Sequence, residues 1–301
     1  MDTPPDRMRR IRHLEHPRIE RYPAVFRRWK GSNPTMNNEG QIVLVTGGGA
    51  GIGYGICEAF AKAGAIVSVA DVDASTAERT ANQIEVMGGR AIAVAGDVSI
   101  ASDAERMIQD SVDALDGLDV LVNNAGIQPT SSYMTAEQMD EETWDRIIDV
   151  NLKGQFLMSK FAIPHIRARG GGTIINIASV QGLQSQPQVP AYAASKGGIL
   201  SLTRNLALDF AGDNIRVVAI NPGTIDTPLA RGAARAFGDE EELLRLWGSS
   251  HPLGRIGKPS DIGSAAVFLA SDGASFITGE SVNVDGGYMA LGAWAAGTEA
   301  D

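Results

Sequence analysis

The sequence has very little cysteine, few histidines and no long apolar stretch. It contains one cysteine, Cys57, and four histidines among 301 residues. A single cysteine excludes an intramolecular disulfide framework, and the scattered histidines form no pattern typical of a metal site. No apolar run approaches the roughly 20 residues that a membrane-spanning helix needs, and the N-terminus lacks the apolar core of a secretory signal. We therefore expect a cytoplasmic protein without a metal or a membrane segment.

Basic charge is also scarce, and it is unevenly placed. The chain has 26 Lys and Arg against 36 Asp and Glu, for a net charge of −10. This balance disfavours nucleic acid as a partner, because polyanions are bound by clustered basic residues. Nine of the basic residues lie in positions 1–40, which show little apolar periodicity. We predict a flexible N-terminal extension over 1–40 and a catalytic domain over 41–301. An interaction arm, a targeting segment and a translation start at Met36 stay open as explanations of the extension.

From residue 41 onward, short apolar runs alternate with helical patterns. Several of these runs are continuous, as expected of parallel strands covered by helices on both faces. The runs are residues 42–45, 66–70, 91–95, 120–122, 173–178, 216–220 and 281–284. The first helix is predicted by an apolar stripe at helical spacing, with Gly64 as its stop. That stripe consists of Ile52, Ile56, Ala59, Phe60 and Ala63. The pattern predicts a single α/β domain, a doubly wound parallel sheet of about seven strands with ligands at the carboxyl ends of the strands.

A glycine-rich loop joins the first predicted strand to the first predicted helix. Gly47, Gly51, Ile52 and Gly53 belong to the segment TGGGAGIG. Glycines allow backbone N–H groups to approach a pyrophosphate at the positive end of the helix dipole. The spacing is T-G-x-x-x-G-x-G and not the literal G-x-G-x-x-G, but its position between strand and helix favours dinucleotide binding.

Asp71 follows the second strand, 18 residues after Gly53. A carboxylate there can accept hydrogen bonds from ribose hydroxyls and would repel a 2′-phosphate, so it favours NAD over NADP. We find no Lys or Arg close to Asp71 in the sequence to compensate. A solvated turn aspartate is the structural alternative.

Small and polar residues follow the third and fourth predicted strands at the same edge. Residues of this kind can line an adenine and ribose pocket, although Asn and Gly are also ordinary turn formers. The candidates are Asp97, Val98, Asn124, Ala125 and Gly126.

Tyr192 and Lys196 lie four residues apart on a predicted helix, so they share one face. A free tyrosine has a pKa of about 10, and a neighbouring ammonium favours the phenolate. We therefore expect Lys196 to lower the pKa of Tyr192 toward a range useful for proton transfer. Ser179 ends the fifth predicted strand, where its hydroxyl can hydrogen-bond a substrate oxygen. A Y-x-x-x-K pair alone is common in helices and has an ordinary structural explanation. Its occurrence together with the glycine loop and Ser179 favours a catalytic role.

Taken together, these segments resemble a classical short-chain dehydrogenase/reductase with a Rossmann-like fold over residues 41–288. The matching segments are TGGGAGIG, NNAG, VNLKG, INIAS, YAASK, NPGTIDTP, FLASD and VDGG. The resemblance implies that Tyr192 is the general acid/base, that Ser179 positions the substrate oxygen and that Lys196 holds the nicotinamide ribose. It further implies a proton relay through the Asn151 backbone.

The same resemblance implies further cofactor contacts and an assembly. Pro222 and Gly223 would flank the nicotinamide, and Thr227 would reach its carboxamide. Family members commonly form closed symmetric assemblies, so we expect a homotetramer with interfaces near the Tyr192 helix, Phe268 and Val282.

The substrate region is predicted to be polar. Four glutamines lie between Ser179 and Tyr192, and amide side chains offer both donors and acceptors. They are Gln181, Gln184, Gln186 and Gln188. Trp247 and Phe237 are candidates for a lid over the substrate, and His251 for a substrate contact. A solvent-facing turn is the alternative explanation of the glutamines.

The sequence thus predicts an NAD-dependent oxidoreductase that interconverts a secondary alcohol and a ketone on a small polar substrate, such as a sugar derivative, polyol or hydroxy acid. One alternative is an NADPH-dependent reductase of the 3-oxoacyl-carrier-protein type. A second is a nucleotide-binding regulator that keeps the fold without turnover.

Overall fold

The computed structural model describes residues 38–291, and a seven-stranded sheet runs through the middle of them. The strands are β1 (Ile42–Thr46), β2 (Ile66–Asp71), β3 (Arg90–Ala95), β4 (Val120–Asn123), β5 (Gly172–Ile177), β6 (Ile215–Pro222) and β7 (Ser281–Val284). All neighbouring strands are parallel, in the order β3-β2-β1-β4-β5-β6-β7. The predicted doubly wound parallel sheet is confirmed.

Nine α-helices occur in the described part of the chain. They are α1 (Gly51–Lys62), α2 (Ala74–Val86), α3 (Ala101–Leu115), α4 (Glu141–Ile148), α5 (Gly154–Ala168), α6 (Pro190–Phe210), α7 (Pro228–Phe237), α8 (Glu240–Ser249) and α9 (Pro259–Ala270). A π-helical turn over Asp149–Lys153 joins α4 to α5. The helix α1 begins and ends close to its predicted limits, and Gly64 follows it with a φ of +84°, a conformation that favours glycine.

The sheet separates two apolar cores. In β1, Val43 and Val45 contribute to one core with α1, α2 and α9, whereas Leu44 contributes to the other with α3, α5 and α6. Successive side chains of a strand point to opposite faces, so a strand buried on both faces must be apolar at every position. This requirement explains why the strand sequences are continuous apolar runs.

The strand order reverses at the β1–β4 pair, since β2 and β3 lie on one side of it and β5 to β7 on the other. A crevice opens beyond the carboxyl ends of the strands at such a switch point. None of the helices within residues 38–291 is both long and apolar enough to cross a membrane. The extension predicted over 1–40 lies outside the described residues except for its last three positions.

Candidate active site

A cavity of about 820 Å³ follows the carboxyl edge of the sheet. We call its side at the ends of β1 to β4 the cofactor half, and its side formed by residues 180–189, α7 and α8 the substrate half. Most of the residues predicted for the site line this cavity. They are Gly47, Gly51, Ile52, Asp71, Asp97, Val98, Asn124, Ala125, Gly126, Ser179, Gln181, Tyr192, Lys196, Pro222, Gly223, Thr227 and Trp247. Gly53 and Asn151 do not line it.

The glycine loop forms one wall of the cofactor half. Gly47 and Gly51 have φ values of +61° and +52°, which L side chains rarely adopt. A Cβ atom on Gly53 would lie 2.0 Å from the carbonyl oxygen of Gly47. Gly53 is therefore required for the close packing of α1 against the loop, and its contact with the cofactor stays a prediction.

The loop is also tied to the neighbouring strand end. The Asn124 side chain donates hydrogen bonds to the carbonyl oxygens of Thr46, at 2.9 Å, and of Gly47, at 3.1 Å. The buried hydroxyl of Thr46 accepts from the backbone N–H groups of Asn124 and Ala125, both at 3.0 Å. These contacts fix the ends of β1 and β4 relative to each other at the topological switch point.

Asp71 lies at the outer end of the cofactor half, at the end of β2. Its Oδ2 atom accepts a hydrogen bond from the backbone N–H of Gly49 at 2.9 Å. The expectation that no cation comes close to Asp71 is incomplete, because Arg79 of α2 donates to the carbonyl oxygen of Gly49 at 3.4 Å. Arg79 lines an adjoining groove and not the main cavity. It follows Asp71 by only eight residues, on the next helix, so its position in the sequence was an available signal.

Asp97 has a partner that the sequence did not reveal. Arg146 of α4 reaches the Asp97 carboxylate at 3.2 Å, and Ser99 donates to that carboxylate from both its N–H and its hydroxyl group. Burial alone would raise the pKa of Asp97, but the hydrogen bonds from Ser99 and Arg146 hold it below its usual value. Arg146 also lines the cavity, although it is 49 residues from Asp97 and lies in no motif.

Ser179, Tyr192 and Lys196 meet in the middle of the cavity. Tyr192 and Lys196 lie one turn apart on α6, with the Lys196 ammonium 5.5 Å from the centre of the Tyr192 ring. The Ser179 side chain hydrogen-bonds the Tyr192 hydroxyl. Lys196 is buried and donates to the carbonyl oxygen of Ile177 at 2.9 Å, which fixes its position at the end of β5.

The predicted lowering of the tyrosine pKa by Lys196 is not found. Burial raises the pKa of Tyr192 to about 12, and the hydrogen bond with Ser179 only partly opposes this effect. Burial lowers the pKa of Lys196 to about 8, because desolvation disfavours the ammonium. A phenolate near neutral pH therefore requires additional positive charge beside Tyr192.

Asn151 lies behind this group of residues and outside the cavity wall. It belongs to the π-helical turn and is completely buried. Its side chain bonds the backbone N–H of Ile127 at 2.7 Å and the Ile127 carbonyl at 3.0 Å. It also donates to the Ser195 hydroxyl, which donates to the carbonyl oxygen of Tyr192. The Asn151 side chain thus connects the β4 loop to the turn of α6 that carries Tyr192.

The end of β6 completes the wall opposite the glycine loop. The Thr227 hydroxyl accepts from the backbone N–H of Ala230 at 3.2 Å and so caps α7. A Cβ atom on Gly51 would lie 3.3 Å from the Thr227 side chain. The start of α1 and the start of α7 are therefore in contact across the cavity.

The substrate half contains three of the four predicted glutamines. Gln181, Gln186 and Gln188 line the cavity, whereas Gln184 does not. The Gln181 side-chain oxygen accepts from the backbone N–H of Gln186 at 3.0 Å, which shapes the loop. Gln184 is exposed on the same loop, so its predicted place in the pocket is not supported.

Aromatic side chains form much of the remaining substrate half. Tyr133 and Phe237 meet edge to face with ring centres 4.9 Å apart, and Trp247 and Tyr288 line the same region. Sequence reasoning missed Tyr133 and Tyr288, although they follow the ends of β4 and β7 by ten and four residues respectively. That position near the carboxyl edge was the available signal.

Three comparisons with known proteins agree with this architecture. A family model described as enoyl-(acyl carrier protein) reductase matches residues 47–289. The chain is 40% identical to 2-(S)-hydroxypropyl-CoM dehydrogenase 3 of Xanthobacter autotrophicus over 83% of this chain and 97% of that relative. The solved structure of Thermoplasma acidophilum aldohexose dehydrogenase is similar with a TM-score of 0.77 and 37% identity, covering 85% of this chain and 96% of the other.

A third similar protein was solved with a cofactor. It is a 3-ketoacyl-(acyl-carrier-protein) reductase of Brucella melitensis complexed with NADH, with a TM-score of 0.75 and 38% identity over 83% of this chain and 98% of that chain. The family model spans nearly all the described residues and includes every residue that lines the cavity. The chain belongs to the short-chain dehydrogenase/reductase family. It is therefore an oxidoreductase of a family that uses a nicotinamide cofactor.

The residues present fit such a cofactor. The loop glycines leave space that a Cβ atom would fill, the N-terminus of α1 faces the cavity, and a carboxylate stands at the end of β2. This set combines backbone donors for a pyrophosphate with an acceptor for ribose hydroxyls.

Proposed function

We propose that this protein is an NAD-dependent oxidoreductase that interconverts a secondary alcohol and a ketone. The observation that carries the proposal is the grouping of Ser179, Tyr192 and Lys196 at the centre of one cavity whose far end holds Asp71. A general acid/base must lie within hydrogen-bonding reach of the reacting oxygen. Here the Tyr192 hydroxyl is the candidate acid/base, and the Ser179 hydroxyl lies next to it.

In the oxidation direction, the alcohol oxygen is held by Ser179 and gives its proton to Tyr192. The carbon gives up a hydride, and a bound oxidised nicotinamide supplies the acceptor for it. The substrate thereby becomes a ketone, and one proton leaves through the Tyr192 hydroxyl. In the reverse direction Tyr192 returns the proton to the alkoxide oxygen.

Lys196 and Asn151 support this proton transfer. One of the three donors of the Lys196 ammonium is committed to Ile177, so two remain to hold ribose hydroxyls. Asn151 orients the α6 turn through Ser195, and its backbone would continue a proton relay. A nucleotide-binding regulator has no need of such an arrangement, which favours an enzyme.

Asp71 supports NAD over NADP. A 2′-phosphate would face the carboxylate in the cofactor half, and a like-charge contact of this kind costs several kcal/mol. The alternative, an NADPH-dependent reductase of the 3-oxoacyl-carrier-protein type, draws support from Arg79, which lies close to the loop. We favour NAD because Asp71 lines the cavity and Arg79 does not.

The glutamine-lined substrate half supports a small polar substrate, such as a sugar derivative, polyol or hydroxy acid. A sterol or long acyl chain would leave these amides unpaired, at a cost of about 1–3 kcal/mol for each group that is buried.

The test is a screen of the purified protein with NAD and with NADP against polyols, sugars, hydroxy acids, sterols and acyl thioesters, followed by the absorbance of the reduced nicotinamide. We expect turnover with NAD and a small polar alcohol. Higher kcat/KM with NADP and a 3-oxoacyl thioester would instead establish the reductase.

We further propose that residues 41–301 form the catalytic domain of a cytoplasmic homotetramer. Large apolar side chains on the surface support an assembly, since Leu208 of α6 is 75% exposed and Phe268 of α9 is 37% exposed. Light scattering at micromolar concentration tests the tetramer, and turnover after removal of residues 1–35 tests the domain limits.

A further inference from the structure

The charged groups of the cavity are concentrated in its cofactor half and at its centre. Among the described residues that line the cavity, the cationic side chains are Arg146 and Lys196. Arg146 is bonded to Asp97 and Ser99 at the cofactor end. Lys196 is bonded to Ile177 beside Tyr192. Neither cation belongs to the loop or the helices that form the substrate half.

His251 lines the substrate half, but backbone groups occupy both of its ring nitrogens. It is 2% exposed, and its Nδ1 atom lies 2.7 Å from the carbonyl oxygen of Trp247. A carbonyl only accepts, so Nδ1 donates this bond. Its Nε2 atom accepts from the backbone N–H of Thr224 at 3.1 Å. Neither nitrogen is therefore left to bond an anionic group of a substrate.

Two arginines of α7 are held by carboxylates. Arg231 of α7 bonds both oxygens of Asp226, at 2.6 and 2.9 Å, and also reaches Glu240. Arg235 is paired with the other oxygen of Glu240 at 2.9 Å. Neither arginine lines the cavity. The described residues that line the substrate half therefore include no free Lys or Arg for an anionic group.

The groups that do face the substrate are aromatic rings and amides. Tyr133, Phe237 and Trp247 supply flat apolar surfaces with polar edges, and Gln181 and Gln186 supply donors and acceptors. A saturated ring with hydroxyl groups has the matching chemistry, because its C–H face packs on an aromatic ring while its hydroxyls bond the amides.

We infer that the substrate is an uncharged, hydroxylated ring, and that carboxylate-bearing analogues of the same size are rejected. The inference rests on the proposed function and narrows it, since it removes hydroxy acids and sugar acids from the substrate class. The physical reason is that an anion in this half would lose water without gaining a cationic partner.

The first test uses pairs of substrates that differ only in one charged group. D-glucose and D-glucuronate share a pyranose ring and an anomeric hydroxyl. Trans-4-(hydroxymethyl)cyclohexanol and trans-4-hydroxycyclohexanecarboxylate share a secondary ring alcohol. At saturating NAD we expect the neutral member of each pair to have the higher kcat/KM by about tenfold or more. If a different alcohol is the better substrate, the same pairs are compared as competitive inhibitors of its oxidation.

A smaller ratio, or a preference for the acid in either pair, would overturn the inference while leaving the proposed function intact. Absence of turnover with every alcohol and both nicotinamide cofactors would instead refute the proposed function. The two failures are therefore distinguishable.

A charge introduced at the cavity mouth gives the second test. Gln186 lines the cavity with an exposed side chain, so Gln186→Arg places a cation there without disturbing the core. We expect it to raise the acid-to-neutral ratio of kcat/KM about tenfold. The matched control is Gln184→Arg on the same loop, which should change the ratio less than about twofold. Equal changes in the two variants, or no change in either, would overturn the inference.

Discussion

The two halves of the cavity are built in different ways. The cofactor half consists of strand ends joined by buried hydrogen bonds, such as those between Asn124 and Thr46. The substrate half consists of a loop and two short helices, and its charged groups are paired at the surface, as Arg231 is with Asp226. A rigid frame for a common cofactor beside exchangeable helices and loops allows one fold to serve many substrates. The similar proteins include an aldohexose dehydrogenase and a 3-ketoacyl-(acyl-carrier-protein) reductase, two enzymes that are named for different substrates.

The largest expected effect lies where the two halves meet. Tyr192→Phe removes the hydroxyl that Ser179 bonds but keeps the ring in place. We expect kcat to fall by about 10² to 10⁴, the usual contribution of a positioned acid/base group. The dissociation constant of NAD, measured by fluorescence quenching, should change little and serves as the control for folding. Near-normal turnover of the variant would refute the assignment of Tyr192.

A second prediction concerns the effect of the buried Lys196 ammonium on the free energy of unfolding. Burial lowers the pKa of Lys196 to about 8 in the folded chain, whereas an unfolded lysine titrates near about 10.4. Below pH 8 both states are protonated, so the folded state carries the full desolvation cost of the ammonium. Between pH 8 and about 10.4 the folded state loses its proton first, so this cost decreases as the pH rises.

Lys196→Met should therefore be inactive but more stable than the unmodified protein at pH 7, by about 1–3 kcal/mol. The gain should disappear as the pH approaches about 10. Urea midpoints at fixed protein concentration, taken at several pH values from 7 to 10, provide the measurement. A gain that did not depend on pH would mean that better apolar packing, and not the buried charge, is responsible.

The cofactor half was more predictable from the sequence than the substrate half, and the reason is physical. Glycines at positive φ and a carboxylate at a strand end, such as Gly47, Gly51 and Asp71, are required by backbone geometry and a fixed ligand, so they leave a pattern along the chain. The inner strands were equally visible, because double-sided burial makes them mostly apolar, whereas the edge strands β3 and β7 are more exposed.

The contacts that were missed depend on tertiary packing. Arg146 reaches the cavity from α4, 49 residues after Asp97, and belongs to no motif. Thr224 and Trp247 bond the two ring nitrogens of His251, and only the fold brings these residues together. Two residues of the predicted site, Gly53 and Asn151, do not line the cavity: Gly53 packs against the glycine loop, and Asn151 bonds Ile127 and Ser195.

A third prediction tests cofactor choice at the outer end of the cofactor half. Asp71→Asn keeps the shape of the side chain and removes its charge, so the repulsion of a 2′-phosphate should weaken. We expect the ratio of kcat/KM for NAD to that for NADP to fall by about tenfold. The matched control is Asp73→Asn, two residues along, where the amide oxygen can still cap α2 through the Ser75 N–H. An unchanged ratio in Asp71→Asn would assign the cofactor preference to other residues, with Arg79 the first to examine.

The smallest effect is expected in the substrate half, and it tests the difference between the two halves most directly. Arg231 joins the start of α7 to α8 through Asp226 and Glu240, with 37% of its side chain exposed. Exposed ion pairs contribute little to global stability, so Arg231→Ala should leave the thermal midpoint nearly unchanged. The same pairs set the position of α7 relative to α8, which line the substrate half. The KM for substrate should therefore rise about threefold, while the KM for NAD stays constant.

Arg167→Ala is the matched control for this variant. Arg167 pairs with Asp213 at 2.7 Å with 46% of its side chain exposed, and neither residue belongs to the elements that form the substrate half. Its removal should change neither KM. Raising the salt concentration should reduce the difference between the unmodified protein and Arg231→Ala, because screening weakens exposed pairs. If Arg231→Ala raised the KM for substrate and the KM for NAD equally, a change in the substrate half would also alter the cofactor half. The proposed independence of the two halves would then be wrong for this protein.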